Sequence, residues 1–124
     1  MSASKHHRWS EIEPEQLNPL VTRQYVTGTN TMLARLVLKK DAHVPLHQHM
    51  NEQVSHVVEG RLNFLIEGRQ VVVEAGDILC IPPHVPHEVI ALKDSVALDI
   101  FTPPRQDWID GEDAYLRAGA PEKS

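Results

Sequence analysis

Short apolar runs, separated at regular intervals by turn residues, dominate the middle of this chain and limit what it can fold into. Between residues 21 and 101 these runs recur about every 8–12 residues, with Gly, Pro or Asp between them. The runs with strand character are 31–38, 54–58, 62–66, 70–73, 77–81, 88–92 and 96–101, and 44–46 is extended but interrupted by Pro45. No stretch there has the length and periodicity of an ordinary helix. The spacing therefore predicts an all-β sandwich or barrel.

The two ends of the chain differ from this middle part. Residues 1–20 contain two prolines and no sustained periodicity, so we expect an N-terminal arm. Residues 21–104 are expected to form the barrel, and residues 105–124 a C-terminal tail with one short helix around 110–117. A length of 124 residues suits one core, and no repeat or linker indicates a second domain.

Composition excludes several function classes. Lys and Arg total 12 against 17 Asp and Glu, which argues against nucleic acid as a partner because phosphate contact needs a basic face. No apolar run approaches the roughly 18 residues of a membrane span, and the polar N-terminus does not resemble a secretory signal. We therefore expect a cytoplasmic protein with no membrane partner. The single cysteine, Cys80, excludes an internal disulfide and is expected to be a buried thiol of an apolar strand.

Histidine is unevenly distributed, since five of the eight histidines lie in two clusters. Residues two apart on an extended chain face the same side, so His47 and His49 present two imidazoles together. Such a pair suits a metal, with a third ligand from elsewhere, and His87 begins another predicted strand. Taken alone, a His-x-His is also compatible with a solvated loop. We expect His43 at the rim of any site and His84 in an exposed turn.

The two clusters resemble the paired sequence motifs of the cupin superfamily. Residues 41–60 follow the first motif, Gly-x5-His-x-His-x3-4-Glu-x6-Gly, and residues 76–91 follow the second, Gly-x5-Pro-x-Gly-x2-His-x3-Asn. Asp41 and His84 stand where the motifs have glycine, and Ala91 stands where the second ends in asparagine. The resemblance implies a cupin double-stranded β-helix, or jelly-roll barrel, with an N-terminal arm and a short C-terminal helical tail. It also implies a metal inside the mouth of the barrel.

The same resemblance implies a set of metal ligands. They are His47, His49, Gln53 and His87, with Gln53 standing where most metal cupins have glutamate. The adjacent Glu52 would face the other side of the strand. A three-histidine site with Gln53 next to it remains open. Neutral ligands leave a divalent ion its full charge, which favours polarising an oxygen or binding an anion over redox chemistry. The metal's identity is not fixed, and Zn, Ni, Fe and Mn all remain open.

An acidic residue in the last predicted strand needs an explanation. Ala97, Asp99 and Phe101 share one face of that strand, and an unpaired buried carboxylate is costly. One interpretation is an Asp99–Arg105 ion pair that closes the barrel. The other is a carboxylate that faces the metal cavity as general acid and base, with Phe101 and Arg105 holding substrate.

The stretch from Asp99 to Arg105 reads D-x-F-x-P-x-R, and with the three histidines and a glutamine it resembles the KdgF family of small cupins. Members of that family convert ring-form 4,5-unsaturated monouronates to the linear, ketonised sugar. The resemblance implies a small-molecule substrate and catalytic roles for Asp99, Phe101 and Arg105. An iron-dependent dioxygenase on the same scaffold and a non-enzymatic ligand-binding cupin are the alternatives. A homodimer is expected, paired through sheet edges, with the arm as a candidate for crossing to the partner.

Overall fold

The computed structural model describes residues 3–117, and most of this part of the chain is β-structure. The strands are β1 Glu15–Asn18, β2 Val21–Thr27, β3 Met32–Leu38, β4 His43–His47, β5 Glu52–Glu59, β6 Arg61–Ile66, β7 Arg69–Glu74, β8 Ile78–Ile81, β9 His87–Ala91 and β10 Ser95–Thr102. A 3-10 turn covers Trp9–Glu11, and two short helices follow the last strand, α1 Gln106–Ile109 and α2 Ala114–Arg117.

The strands form two antiparallel sheets. The larger sheet has the order β1-β2-β3-β10-β5-β8, and the smaller has the order β4-β9-β6-β7. The last strand, β10, lies in the middle of the larger sheet between β3 and β5. Strands that are neighbours in a sheet are often not consecutive in the chain, so the chain crosses repeatedly between the two sheets. Two facing antiparallel sheets connected in this way form a jelly roll, and the predicted all-β barrel is confirmed.

The core follows from side-chain alternation along each strand. In β6 the side chains of Leu62, Phe64 and Ile66 are buried while their neighbours are only partly covered. In β10 the buried positions include Ala97, Asp99 and Phe101, so the face that carries Asp99 points into the barrel. Successive residues of a strand point to opposite faces, which is why one strand can serve the core and the surface.

Several turns use the left-handed backbone region. Gly60 has φ 89° between β5 and β6, and a Cβ there would lie 2.4 Å from the Asp94 carbonyl oxygen. Asp41 and His84, which replace motif glycines, have φ 76° and 66°. A residue with a Cβ pays roughly 1–2 kcal/mol in this region. Both turns therefore keep the glycine-type conformation despite the substitutions.

The N-terminal end is more ordered than the sequence predicts. The expected boundary at residue 21 falls inside the larger sheet, because β1 pairs with β2 and continues it. Leu17 and Asn18 of β1 are buried. The prolines that suggested an arm only bracket this strand, where a missing N–H interrupts no pairing.

The C-terminal end also differs from the prediction. Two four-residue helices, α1 and α2, replace the single helix expected around 110–117, and Gly111 with φ 76° separates them. Residues 118–124 of the predicted tail lie outside the described residues. No helix within residues 3–117 is long and apolar enough to cross a membrane.

The expectation of a buried cysteine is wrong. Cys80 is exposed, and Ile78, two residues earlier, has 64% of its surface accessible. Ile81, on the other face of the same strand, is fully buried. The apolar run of β8 is an edge strand with one covered face, and its sequence does not distinguish this from burial on both faces.

Candidate metal centre and cavity

Three histidines from separate parts of the chain converge inside the barrel. His47 ends β4, His87 begins β9, and the two residues are directly paired in the smaller sheet. His49 lies in the turn that leads into β5. The candidate ligand nitrogens of the three side chains all lie within 4.8 Å of one another. The sequence-predicted trio is therefore brought together.

Each imidazole is oriented by a backbone carbonyl two residues away along the chain. The Nδ1 contacts are His47 to Pro45 O at 2.8 Å, His49 to Asn51 O at 3.0 Å and His87 to Val85 O at 2.9 Å. A carbonyl oxygen can only accept, so each Nδ1 carries the proton and donates it. Each Nε2 is consequently left with a lone pair. Outer hydrogen bonds of this kind orient metal-ligating histidines.

The protonation of the rings agrees with this arrangement. Burial, together with the charge of neighbouring imidazoles and Arg105, lowers the pKa of His47 to about 3 and that of His49 to about 4. Burial also lowers the pKa of His87. The Nε2 of His87 is buried and has no hydrogen-bond partner within the described part of the chain. Neutral imidazoles with unpartnered nitrogens fit a metal cation.

Gln53 points to the same place. Its Oε1 lies 3.1 Å from His49 Nε2, while its Nε2 donates to Ser55 Oγ at 2.9 Å. Two acceptors therefore face each other, which requires a proton or a cation between them, and the lowered pKa of His49 disfavours the proton. Glu52 is exposed on the opposite face of β5. Three imidazoles and an amide oxygen suit Zn, Ni, Fe or Mn.

Asp99 lies close to this group on the inner face of β10. Burial raises its pKa to about 6, and a hydrogen bond from Ser55 and the charge of Arg105 partly oppose that rise. Ser55 directly opposes Asp99 across the β5–β10 pair and is fully buried. Since Ser55 accepts from Gln53 and donates to Asp99, it connects the two candidate site residues.

The alternative of an Asp99–Arg105 ion pair is wrong. Arg105 donates from Nε and Nη2 to the two carboxylate oxygens of Asp107, at 2.9 and 2.8 Å, and from Nη2 to the Tyr115 hydroxyl. Asp107 is only two residues away and offers a bidentate contact at the start of α1. The Asp99 carboxyl therefore forms no ion pair within residues 3–117, and it faces the interior.

The interior contains one cavity of about 50 Å³ that touches both groups of residues. Its polar lining residues are His47, Gln53, His87, Asp99, Arg105 and Tyr115. The Phe101 ring packs edge-on against His49, with centroids 5.7 Å apart, and the Arg105 guanidinium lies 5.0 Å from the Phe101 centroid. The catalytic residues expected from the sequence and three of the four candidate ligands, His47, Gln53 and His87, thus border one space.

Sequence reasoning missed three residues of this site. Tyr115 in α2 has its ring 4.9 Å from that of His47, and Trp108 in α1 packs against Phe101 at 5.0 Å. Neither short helix gives a sequence signal for its orientation. Ser55 was also missed, although the sequence contains a signal for it. It lies two residues after Gln53 and therefore shares the inward face of β5.

The other two clustered histidines lie outside the metal group. His43 Nε2 contacts Glu88 Oε2 at 2.5 Å, in a partly exposed pair between β4 and β9. His84 is exposed in the turn before β9. A register shift in β4 between residues 44 and 47 separates His43 from the inward side that carries His47.

The two facing sheets and the interior histidine cluster define the class, a small jelly-roll barrel with a metal-type site inside. The family described as Cupin domain matches residues 34–101. The chain belongs to the cupin family.

Individual relatives refine this placement. The chain is 28% identical over 98 residues to the pectin degradation protein KdgF of Dickeya dadantii (strain 3937), covering 77% of this chain and 89% of that protein. An RmlC-like cupin from Shewanella frigidimarina is 31% identical, with a TM-score of 0.79 over 85% of this chain and 96% of that one. KdgF from Halomonas sp. is 26% identical, with a TM-score of 0.80 over 86% of this chain and 99% of that one. The resemblance to KdgF inferred from the sequence is confirmed.

Proposed function

We propose that this protein is a metal-dependent cupin enzyme that acts on a small anionic sugar acid, converting 4,5-unsaturated monouronates to the linear ketonised form. One observation carries the proposal: a buried carboxyl with a raised pKa, Asp99, borders the same cavity as the histidine cluster and Arg105. The similarity to two KdgF proteins, one of them named a pectin degradation protein, supports a sugar acid as the substrate.

The proposed metal ligands are His47, His49, Gln53 and His87. A divalent ion held there would act as a Lewis acid that polarises a substrate oxygen, and its neutral ligands would leave its charge undiminished. The identity of the ion, Zn, Ni, Fe or Mn, remains open. The Nδ1–carbonyl contacts keep the three imidazoles in the tautomer that binds a metal through Nε2.

Asp99 is the proposed proton carrier. The conversion opens a hemiacetal ring, which leaves an enol. A proton then leaves the enol oxygen, and the alkene carbon that does not carry this oxygen gains one, which gives the ketone. A carboxyl with a pKa of about 6 can both accept and return a proton near neutral pH. The Ser55 hydroxyl donates to the ionised form and orients it. The unpaired state of Asp99 is therefore what this role requires.

Arg105 and Phe101 are the proposed binding residues. Arg105 is anchored by Asp107 through Nε and Nη2, while its Nη1 makes no hydrogen bond to the residues in 3–117. That free donor suits the carboxylate of a uronate. The Phe101 ring, against which the guanidinium lies, offers an apolar surface for the sugar ring.

The test is an assay that follows the ultraviolet absorbance of the conjugated alkene of a 4,5-unsaturated monouronate. We expect the absorbance to fall with metal-loaded protein and to persist with chelator-treated protein. His47→Ala is expected to lose about 100-fold or more in rate, because a ligand is removed. His43→Ala is the matched control, since His43 lies outside the cluster, and its rate should stay within about twofold of wild type.

The contrary result is an unchanged absorbance with folded, metal-replete protein, which would overturn the uronate assignment. Oxygen consumption with Fe(II) would then indicate a dioxygenase. Tight retention of a ligand without turnover would indicate a binding module.

A further inference from the structure

The Tyr115 hydroxyl has an unused proton beside the candidate site. Tyr115 lies in α2, its ring is tilted 36° to that of His47, and it borders the same cavity as Asp99 and Arg105. It is one of only two tyrosines in the chain. No sequence motif singled it out.

The contacts of the Tyr115 hydroxyl define the role that it can play. Its oxygen receives the N–H of Arg105 Nη2 and, at 3.3 Å, the indole N–H of Trp108. Guanidinium and indole nitrogens are donors only, so Tyr115 is the acceptor in both contacts. Its own O–H proton has no acceptor among the side chains and carbonyls of residues 3–117. That proton is available to a molecule in the cavity.

The position of Tyr115 is fixed by contacts on both sides. Asp113, just before α2, forms an ion pair with Arg23 at 2.8 Å, with each side chain no more than 2% exposed. Asn18 donates to the carbonyl of Leu116 at 2.9 Å. The hydroxyl is therefore held in place before any ligand arrives, which lowers the entropy cost of using it.

We propose that the Tyr115 hydroxyl donates a hydrogen bond to the carboxylate of the substrate, beside the free Nη1 of Arg105. This inference rests on the proposed function, because it assumes an anionic sugar acid in the cavity. Donation from the Arg105 guanidinium to the Tyr115 oxygen withdraws electron density, which makes the phenol a better donor to an anion. Tyr115 and Arg105 together then form a two-donor clamp that selects a carboxylate over a neutral sugar.

Tyr115→Phe removes only the hydroxyl and tests the proposal directly. We expect KM for the unsaturated monouronate to rise about 10- to 100-fold, as for loss of a hydrogen bond to a charged group, with kcat within about threefold of wild type. Tyr25→Phe is the matched control, because Tyr25 does not border the cavity, and its KM should not change. Metal content and thermal unfolding should match wild type in both variants.

Binding without turnover provides a second readout. Galacturonate is a saturated uronate that the proposed reaction cannot convert, and the fluorescence of Trp108, which touches Tyr115, can report its binding. We expect Tyr115→Phe to raise the dissociation constant for galacturonate about 10-fold or more. The dissociation constant for the uncharged methyl ester should stay within about twofold of the wild-type value. Equal weakening for both ligands would overturn the assignment to the carboxylate.

A double variant separates direct contact from an effect through Arg105. If Tyr115 touches substrate, Tyr115→Phe should again lower kcat/KM about 10-fold when introduced into Arg105→Met. If Tyr115 only positions Arg105, the second change should be silent in that background, and the proposal fails. Failure of the proposed function looks different, since wild type itself would then leave the unsaturated uronate unchanged.

Discussion

Asp99 illustrates how one residue can be unfavourable for the fold and useful for a reaction. It is buried without an ion-pair partner among the described residues, and burial raises its pKa to about 6 from an ordinary value of 3.8. A shift of two pKa units corresponds to about 3 kcal/mol between the two protonation states. As pH rises, the folded state keeps the Asp99 proton to a higher pH than the unfolded state does. The free energy of unfolding should therefore fall between about pH 4 and pH 6 and then level off.

Asp99→Asn should consequently raise stability and abolish turnover together. In metal-free protein, we expect the free energy of unfolding of the variant relative to wild type to increase by about 2–3 kcal/mol between pH 4 and pH 8. Urea unfolding at the two pH values measures this difference. Turnover should be lost while metal content stays normal, because Asp99 is not a proposed ligand.

Asp110→Asn is the control for both measurements, since Asp110 is exposed at the end of α1. A variant at Asp99 that loses stability at pH 8, or that loses its metal, would show that the carboxylate supports the fold or the metal group instead.

Individual site residues differ in how far the sequence predicts them. The inward direction of His47, His49 and Gln53 follows from strand parity and motif spacing, which are properties of the local chain. The partner of Arg105 does not, because Asp107 reaches it only through the geometry of the turn into α1. Cys80 was misplaced for a related reason, since its exposure depends on which strand forms the edge of the sheet.

At the scale of elements, charged side chains tie the two ends of the chain to the barrel. Arg23 of β2 contacts Glu15 of β1 at 3.0 Å and Asp113 at 2.8 Å, and Arg117 of α2 contacts both acids. Although burial opposes it, hydrogen bonds from Arg117 and Arg23 hold the pKa of Asp113 below its usual value. This network places α2, and with it Tyr115, over the cavity.

Asp113→Ala should therefore cost far more stability than an ordinary surface change. It would leave the buried Arg23, whose Nη1 already lacks a hydrogen bond, with Glu15 as its only remaining acidic contact within residues 3–117. We expect a loss of about 3 kcal/mol in the free energy of unfolding, as for other broken buried pairs. Urea unfolding at pH 7 gives the value.

Glu74→Ala breaks the exposed Arg61–Glu74 pair and serves as the matched control, with an expected loss of about 0–1 kcal/mol. Similar losses in the two variants would mean that the buried network contributes no more than a surface ion pair.

The elements that the sequence predicts well are the strands bounded by turn residues. Strands β3 and β5 to β10 begin and end within about two residues of the predicted limits, because Gly, Pro or Asp marks the turns between the apolar runs. β1, α1 and α2 have only four residues each, and packing of Leu17, Trp108 and Leu116 into the core decides their structure. Such long-range contacts leave no periodic signal.

At the scale of the whole molecule, the outer face of the larger sheet carries an apolar row. Directly paired positions across five strands place these side chains side by side: Val26, Leu33, Ile100, Val54 and Cys80. Ile78, Val58 and Ile100 on this face are 64%, 41% and 39% exposed. The N-terminal segment covers only one end, where Gln24 donates to the carbonyls of Trp9 and Ile12. The part formed by β10, β5 and β8 has no cover within residues 3–117.

We propose a second copy of the chain as the occupant of this face. A two-fold axis parallel to the sheet, lying in the plane of the interface, would pack the apolar row against the same row of the second copy. We therefore propose this face for the expected homodimer, whereas the sequence had suggested sheet edges.

Ile100→Glu tests this arrangement, because a charge at the centre of the row would be buried twice in a two-fold dimer. Wild type should sediment as a dimer with twice the chain mass of 14.0 kDa. The variant should sediment as a monomer with an unchanged fold. Val72→Glu, which adds a charge at an equally exposed valine on β7 of the smaller sheet, should remain dimeric. A monomeric wild type would contradict the homodimer, and dissociation by both substitutions would contradict the assignment to this face.

Ile100 lies between Asp99 and Phe101 in β10. Loss of turnover in a folded monomer would therefore link assembly to the site through this strand.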